Sequence, residues 1–151
     1  MNDLGGMGAM GRAAPETVTM AHGAGGRAMR RLVDDLFVAA FDDPAGREME
    51  DSARLAAPEA LAAGGRLALT TDGFVVTPVE FPGGDIGKLA VCGTVNDLAV
   101  SGATPLWLTC SAIVEEGCPM DLLRRVVASM KAAAADAGVR IVAGDTKVVG
   151  R

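Results

Sequence analysis

Tyrosine is absent from this 151-residue chain, and aromatic residues make up only 3% of it. Because half of the residues are hydrophobic, a core must be built from Ala, Val, Leu, Ile and Met, and the length suffices for one domain. The sequence contains no apolar run long enough to span a bilayer and nothing typical of a secretory signal. These absences predict a cytoplasmic protein that does not act in a membrane.

Histidine and cysteine are also scarce. His22 is the single histidine, which excludes a His-based metal cluster and leaves no assignable Ser-His-Asp triad. The three cysteines, Cys92, Cys110 and Cys118, have neither CxxC nor zinc-type spacing, so we expect reduced thiols. Cys92 and Cys110 are predicted to lie in the core. The 14 basic residues are outnumbered by 19 acidic ones and form no cluster, so nucleic acid is not an expected partner.

The chain divides into a flexible leader and one domain. Residues 1–15 are rich in Gly, Met and Ala without a period, and residues 16–151 carry the regular patterns. Apolar spacing predicts helices over 27–41, 85–101 (buried on most sides) and 119–138. Strands are predicted over 18–20, 66–71, 74–79, 105–114 (buried) and 139–143, and residues 45–65 are expected to be loop with at most one helical turn. This alternation predicts an α/β or α+β fold.

Three acidic patches lie beside Gly or Thr: Asp72 in TTDG, Asn96-Asp97, and Asp145 in GDTK. Carboxylate oxygens are the ligands that Mg²⁺ prefers, and glycine lets phosphates approach the backbone. The alternative is structural, with Asp72 in a turn and Asp145 as a helix cap. The three together favour a metal–phosphate site, although their convergence in space is an assumption.

Two glycine segments could contact a nucleotide. In GGDIGK, the turn Gly83-Gly84 precedes Asp85 and Lys88, and Lys88 in the first helical turn could reach a phosphate or simply be solvated. The motif is not a Walker A loop, because Leu follows the lysine. Lys147, after Asp145 and Thr146, has the same two interpretations. His22 in AHGAGG is either an exposed bystander or part of a loop that covers a nucleotide. The turn Glu115-Glu116-Gly117 is either solvated or involved in ligand binding.

From His22 onward the chain resembles the HypE-type hydrogenase maturation factors of the PurM-like (aminoimidazole ribonucleotide synthetase-like) superfamily. The matching segments are AHGAGG, TTDGFVVTPVEFPGGDIGKLAVCGTVNDLAVSGATP, IVEEGCP and IVAGDTKVV. The resemblance implies a PurM-like N-terminal domain, a mixed sheet with helices on one face whose strands pair across a homodimer. It also implies an ATP and Mg²⁺ site near the subunit interface.

The same resemblance assigns roles to individual residues. Asp72, Asp97 and Asp145 would be metal or phosphate ligands. The residues at the nucleotide would be His22, Gly25, Gly26, Gly83, Gly84, Asp85, Lys88, Asn96, Thr146 and Lys147. His22 and its glycines would form a mobile cover over the phosphates.

The implied reaction is the ATP-dependent dehydration of a thiocarboxamide, carried on the protein's own C-terminal cysteine, to a thiocyanate. HypF would donate the carbamoyl group, and the HypC–HypD pair would receive the cyanide destined for the iron of [NiFe]-hydrogenase. Phosphorylation would turn a poor oxygen leaving group into a good one, with Mg²⁺ and Lys neutralising charge.

The chain departs from this family pattern in one respect. It has no second domain and no Pro-Arg-x-Cys tail, and none of its three cysteines matches that tail. We therefore expect the ATP-binding and dimerising N-terminal half, without a catalytic residue or full activity of its own. The alternatives are a scaffold that dimerises and binds HypF or HypC–HypD without ATP turnover, and a kinase-like relative acting on a small molecule.

Overall fold

The computed structural model describes residues 16–48 and 52–150, except for the side chain of residue 62. The predicted leader 1–15 lies outside the described residues. The first regular element of the described residues is a 3₁₀ turn, Met20–His22. The further elements are α1 (Arg27–Leu32), a π-helical segment (Val33–Val38), α2 (Ala39–Phe41), α3 (Pro44–Arg47), α4 (Glu59–Ala62), β1 (Glu80–Phe81), β2 (Gly84–Asp85), α5 (Ile86–Val100), β3 (Trp107–Glu115), α6 (Met120–Ala137) and β4 (Arg140–Val149).

The main sheet consists of β3 and β4, which pair in parallel from Trp107↔Arg140 to Glu115↔Val149. Helix α6 makes the crossover between them, as a parallel connection requires. A second pair, β1 with β2, is an antiparallel hairpin that turns at Gly83, whose φ is +96°. This hairpin leads directly into α5.

Local signals fix the ends of the two long helices. Asp85 caps α5 by accepting the Lys88 N–H at 2.9 Å, and Gly102 follows the helix with φ +79°. Pro119 precedes α6, and Gly138 ends it in the left-handed conformation with φ +69°. The predicted helices 85–101 and 119–138 are therefore confirmed to within two residues.

The helices cover one face of the β3–β4 sheet and leave the other open. Val114 lies in a cluster with Val18, Leu32, Met120, Leu123 and Val127, and a second cluster contains Val91, Ala133, Ala134, Val139 and Ile141. Phe41 packs against both. Because side chains alternate along a strand, Ile113 projects from the opposite face and is 70% exposed.

The N-terminal third was predicted correctly in extent but not in detail. One continuous helical stretch does run from Arg27 to Phe41, with the π-helical segment at its centre. The predicted strand 18–20 is wrong, because this segment makes only an isolated bridge, Thr17↔Pro119, before the 3₁₀ turn. Residues 45–65 contain two short helices, α3 and α4, instead of one turn.

The predicted strands 66–71 and 74–79 form no ladder within the described part of this chain. Several of their side chains lie in solvent, with Leu69 91% and Val75 98% exposed, while Phe74 and Val76 are half-buried. The sequence has strand propensity here, but propensity forms a strand only beside a partner strand. As a prediction for a single chain, these two strands are wrong.

Burial along the later elements also differs from the prediction. Helix α5 is buried on one side only, at Gly87, Val91 and Leu98, while Cys92 and Val100 are exposed. The core position predicted for Cys92 is therefore wrong, and the strand predicted as buried, now β3, is half-buried with alternating exposure. Among the described residues, no helix is both long and apolar enough to cross a membrane.

Strand β4 extends six residues beyond its predicted end and contains the whole of GDTK. A Cβ at Gly144 would come within 2.5 Å of the Cys110 carbonyl oxygen, so only glycine lets β4 pass this close to β3. Asp145 consequently lies within a strand, and a helix-capping role is excluded for it.

Candidate functional site

The start of the glycine segment AHGAGG is docked against β4. A Cβ at Gly23 would lie 2.8 Å from the Val148 nitrogen, so this contact requires glycine. Val148 follows Lys147 directly in β4. Two motifs separated by more than a hundred residues in the sequence, AHGAGG and GDTK, are thereby brought together at one end of β4.

The imidazole of His22 has defined partners. Its Nδ1 accepts the backbone N–H of Thr19 at 3.0 Å, and the Thr19 hydroxyl oxygen lies 3.0 Å from the same nitrogen. The His22 N–H in turn donates to the Thr19 carbonyl at 2.9 Å. These bonds close the 3₁₀ turn and half-bury the ring. His22 is therefore a fixed residue at the start of a glycine loop that continues through Gly25 (φ +76°) and Gly26.

The acidic turn after β3 holds this loop from the other side. The Glu116 carboxylate accepts the Met20 N–H at 3.1 Å, and the Glu116 N–H donates to the Val149 carbonyl at 2.8 Å. Gly117 donates its N–H to the Val18 carbonyl at 2.8 Å. Sequence reasoning treated Glu116 as a turn residue. The only signal that could have found its role is its place within the family-like segment IVEEGCP.

The GDTK segment presents an ion pair on the exposed part of β4. The Lys147 ammonium donates to both carboxylate oxygens of Asp145 at 2.6 Å, and the Thr146 N–H donates to Asp145 Oδ1 at 2.9 Å. The hydrogen bond from Lys147 lowers the pKa of Asp145 below its usual value. Asp145 is therefore ionised at neutral pH, while Thr146 is buried.

The GGDIGK turn is held rigidly by its own side chains. Lys88 reaches back from α5 and donates from Nζ to the Gly83 carbonyl at 3.3 Å. Arg125 of α6 makes a bidentate pair with Glu80 of the hairpin, at 2.6 and 3.0 Å. Asp85 uses one carboxylate oxygen as the helix cap. Asp85 is therefore a helix cap, while Lys88 lies exposed over the glycine turn.

The remaining predicted ligands are exposed and belong to two segments of the chain. Asn96 and Asp97 lie on the exposed side of α5, and Asp72 lies in the extended segment before the hairpin. In the regions that the structure describes, no three His, Cys, Asp or Glu side chains are grouped so that they could hold a metal ion. Asp72, Asp97 and Asp145 thus do not form a metal cluster within a single chain.

A cavity of about 300 Å³ lies between the first helical stretch and the sheet. It is lined mainly by apolar side chains, among them Met29, Phe37, Phe41 and Ile141, together with Cys110. Burial raises the pKa of the Cys110 thiol, which keeps it protonated. Neither Lys88 nor Lys147 lines this cavity, so its walls offer no cation to a phosphate group.

The structure thus combines a parallel β–α–β unit with a glycine hairpin that leads into helix α5, capped by Asp85. Residues 49–151 match the family model for the N-terminal domain of AIR synthase related proteins, and the chain belongs to this family. The predicted PurM-like fold class is thereby confirmed.

Individual relatives show which members of this family the chain resembles. The chain is 62% identical over 136 residues to carbamoyl dehydratase HypE of Rhodobacter capsulatus, and 54% identical over 134 residues to that of Escherichia coli. These alignments cover 90% and 89% of this chain, but only 39% and 40% of the relatives. The chain thus spans about two-fifths of the length of the curated relatives it matches.

Solved structures agree with the sequence relatives. A hydrogenase maturation protein HypE in complex with ATP superimposes with a TM-score of 0.82 at 53% identity, over 88% of this chain and 38% of that one. A HypE–HypF complex gives a TM-score of 0.56 at 54% identity, over 80% of this chain and 37% of that one. The predicted resemblance to the HypE type is confirmed.

Proposed function

We propose that this chain is the ATP- and Mg²⁺-binding, dimer-forming N-terminal domain of a HypE-type carbamoyl dehydratase. The likeness to the HypE that was solved with ATP carries the proposal, since it extends over 88% of the chain at 53% identity. Within the chain, GGDIGK and GDTK hold glycines and lysines suited to phosphate.

The phosphates are proposed to lie among the glycine turns and the two lysines. Lys88 over the Gly83-Gly84 turn and Lys147 on β4 provide two exposed cations, and the loop of His22, Gly25 and Gly26 follows the turn that contacts Val148, the residue after Lys147. Thr146 and Asn96 would complete the polar lining, and Asp85 would support the turn as the cap of α5. Exposed ammonium groups near Cβ-free backbone are the donors that a polyphosphate requires.

Asp72, Asp97 and Asp145 are the proposed Mg²⁺ ligands. Mg²⁺ takes few protein carboxylates and is held largely by water and phosphate oxygens, so one or two of these exposed carboxylates would suffice beside the phosphates. The lowered pKa of Asp145 keeps this group ionised. A bound Mg²⁺ would offset phosphate charge, and Lys147 would then be released from Asp145 toward the phosphates.

Dimerisation is supported by apolar surface that the single chain leaves uncovered. Leu67, Leu69 and Val75 project from an extended segment without a partner strand, and Ile113 projects from the open face of the sheet. A contiguous apolar surface with unpaired strand-forming backbone is typical of an interface between chains. A second copy could also bring together carboxylates that are apart in one chain.

The full reaction is proposed to be dehydration of a thiocarboxamide to a thiocyanate that supplies the cyanide ligands of [NiFe]-hydrogenase in the cytoplasm. HypF is proposed as a partner because a HypE–HypF complex is among the similar structures, and HypC–HypD by family resemblance. The thiols of Cys110 and Cys118 are unsuited to the acceptor role, because burial raises the pKa of both.

Calorimetry of Mg-ATP binding to this chain tests the proposal. We expect measurable binding by the unaltered chain and at least a tenfold loss in D72N, since a neutral amide is a poor Mg²⁺ ligand. D136N changes an equally exposed carboxylate at the far end of α6 and is expected to bind normally.

Two results would favour one of the alternative functions. A folded sample that produces no heat with Mg-ATP would favour the scaffold, which the separated carboxylates also support. Phosphorylation of a small metabolite by the isolated chain would favour a kinase-like activity and contradict the dehydratase assignment.

A further inference from the structure

The hydrogen bonds of His22 specify which tautomer its neutral ring adopts. A backbone N–H can only donate, so the bond from Thr19 N–H to His22 Nδ1 at 3.0 Å requires a lone pair on Nδ1. The hydrogen of the neutral ring is then on Nε2. The Thr19 hydroxyl, also 3.0 Å from Nδ1, can donate to the same lone pair. Thr19 thus selects the tautomer of His22.

The position of the ring is fixed as well as its tautomer. Glu116 accepts the Met20 N–H at 3.1 Å and ties the turn to the end of β3. Gly23 lies so close to Val148 that a Cβ would meet the strand nitrogen at 2.8 Å. The turn that carries His22 is therefore bound both to the turn after β3 and to Val148 of β4. A fixed ring at this place is unlike an incidental loop histidine.

We propose that Thr19 is a positioning residue that keeps His22 as the Nε2–H tautomer, and that this N–H donates to a phosphate oxygen of the bound nucleotide. The inference rests on the proposed nucleotide site. Lys88 and Lys147 supply positive charge, which has little directional preference, whereas a neutral imidazole N–H supplies one directed hydrogen bond. Glu116 supports the same geometry through Met20.

The tautomer can be measured without any nucleotide. Because His22 is the only histidine, a two-bond ¹H–¹⁵N correlation spectrum of the labelled chain above pH 8 contains one imidazole. We expect the unprotonated signature at Nδ1 and the protonated one at Nε2. The opposite assignment would overturn the proposal.

Two substitutions test which ring nitrogen of His22 donates to the nucleotide. The side-chain NH₂ of H22Q can occupy the place of Nε2–H, whereas that of H22N corresponds to Nδ1–H. We expect H22Q to bind Mg-ATP about fivefold more tightly than H22N, the equivalent of one net hydrogen bond. Equal affinities in two folded variants would contradict a donor role for Nε2.

Thr19 is tested by a matched pair. T19S keeps the hydroxyl and is expected to bind as the unaltered chain does. T19V keeps the backbone N–H, and with it the tautomer, but loses the hydroxyl contact that helps to hold the ring. It is therefore expected to bind about fivefold more weakly and to broaden the His22 ring signals. Unchanged binding and ring signals in T19V would overturn its positioning role. If no folded form binds Mg-ATP, the proposed function fails, while the ring spectrum still decides the tautomer.

Discussion

At the scale of single residues, the strongest polar contact lies away from the nucleotide motifs. Arg140 makes a bidentate pair with Asp43, at 2.6 and 3.0 Å, and the Asp43 side chain is only 6% exposed. Asp43 also caps α3 by accepting the Ala45 N–H. The sequence predicted only that Asp42, Asp43 and Pro44 end a helix. A partner 97 positions away cannot be inferred from local pattern.

Replacing Asp43 by Asn is expected to lower the free energy of unfolding by about 2 kcal/mol, because a charge-assisted pair and a good cap are weakened together. Urea denaturation measures this. The control is D42N, which changes an exposed carboxylate that pairs with Arg47. The backbone of residue 42 is in the left-handed conformation, which Asn tolerates. A shift of less than about 0.5 kcal/mol is expected there. Equal effects of the two changes would contradict the role given to Asp43.

The same carboxylate predicts a pH dependence. The hydrogen bond from Arg140 lowers the pKa of Asp43 in the folded chain, whereas an unfolded Asp has a pKa of about 3.9. Its stabilisation is therefore complete above the unfolded pKa and is lost as pH falls through the lower folded pKa. The stability difference between the unaltered chain and D43N should narrow on going from about pH 6 to about pH 2.

At the scale of elements, the helix pair α5–α6 shows where sequence reasoning succeeds and where it stops. Periodicity and capping residues are local, so both helices were predicted almost to the residue. Close packing was assigned to Gly93 and Ala90, but the closest backbone approach is at Gly87, where a Cβ would meet the Val126 carbonyl at 2.5 Å. Helix contacts depend on the relative rotation of two elements, which one sequence does not give.

Gly87→Ala is expected to destabilise the protein by about 2 kcal/mol, since the methyl group would force α5 away from α6. Gly93→Ala is the control, because its Cβ would meet only the ring of Phe74, which can move. Alanine is favoured over glycine within helices by about 1 kcal/mol, so a nearly neutral effect is expected there. Thermal unfolding of both variants measures the contrast, and a fully stable G87A would show that the helices can separate at this point.

Strands were predicted less well than helices for a related physical reason. The segments 66–71 and 74–79 have strand composition, yet a strand exists only when another strand pairs with it. β4 was predicted too short because its glycine and charged residues are poor strand formers, while pairing with β3 outweighs that preference. The segments proposed to bind the nucleotide were recognised from their composition. The distances between these segments could not be predicted, because they depend on how the sheet forms and on any second chain.

At the scale of the whole molecule, the proposed dimer is the main expectation. Light scattering at micromolar concentration should give twice the mass of the chain. V75D places a charge on a side chain that is 98% exposed in the single chain and is expected to shift the sample to monomer. A132D changes an exposed residue on α6 and should leave the dimer intact. A stable monomer in the unaltered chain would refute the shared interface.

The docking of the N-terminal turn also has a consequence for the order of folding. Val18 forms backbone hydrogen bonds with Gly117 and Cys118, about a hundred residues later in the chain. Gly23 contacts Val148, the second-last residue of β4. During synthesis from the N-terminus, these partners leave the ribosome about a hundred residues or more after the turn itself. The His22 loop therefore cannot take its final place until β4 has emerged, and contacts of such long range form slowly. Nucleotide binding by this domain would thus signal that its folding is complete.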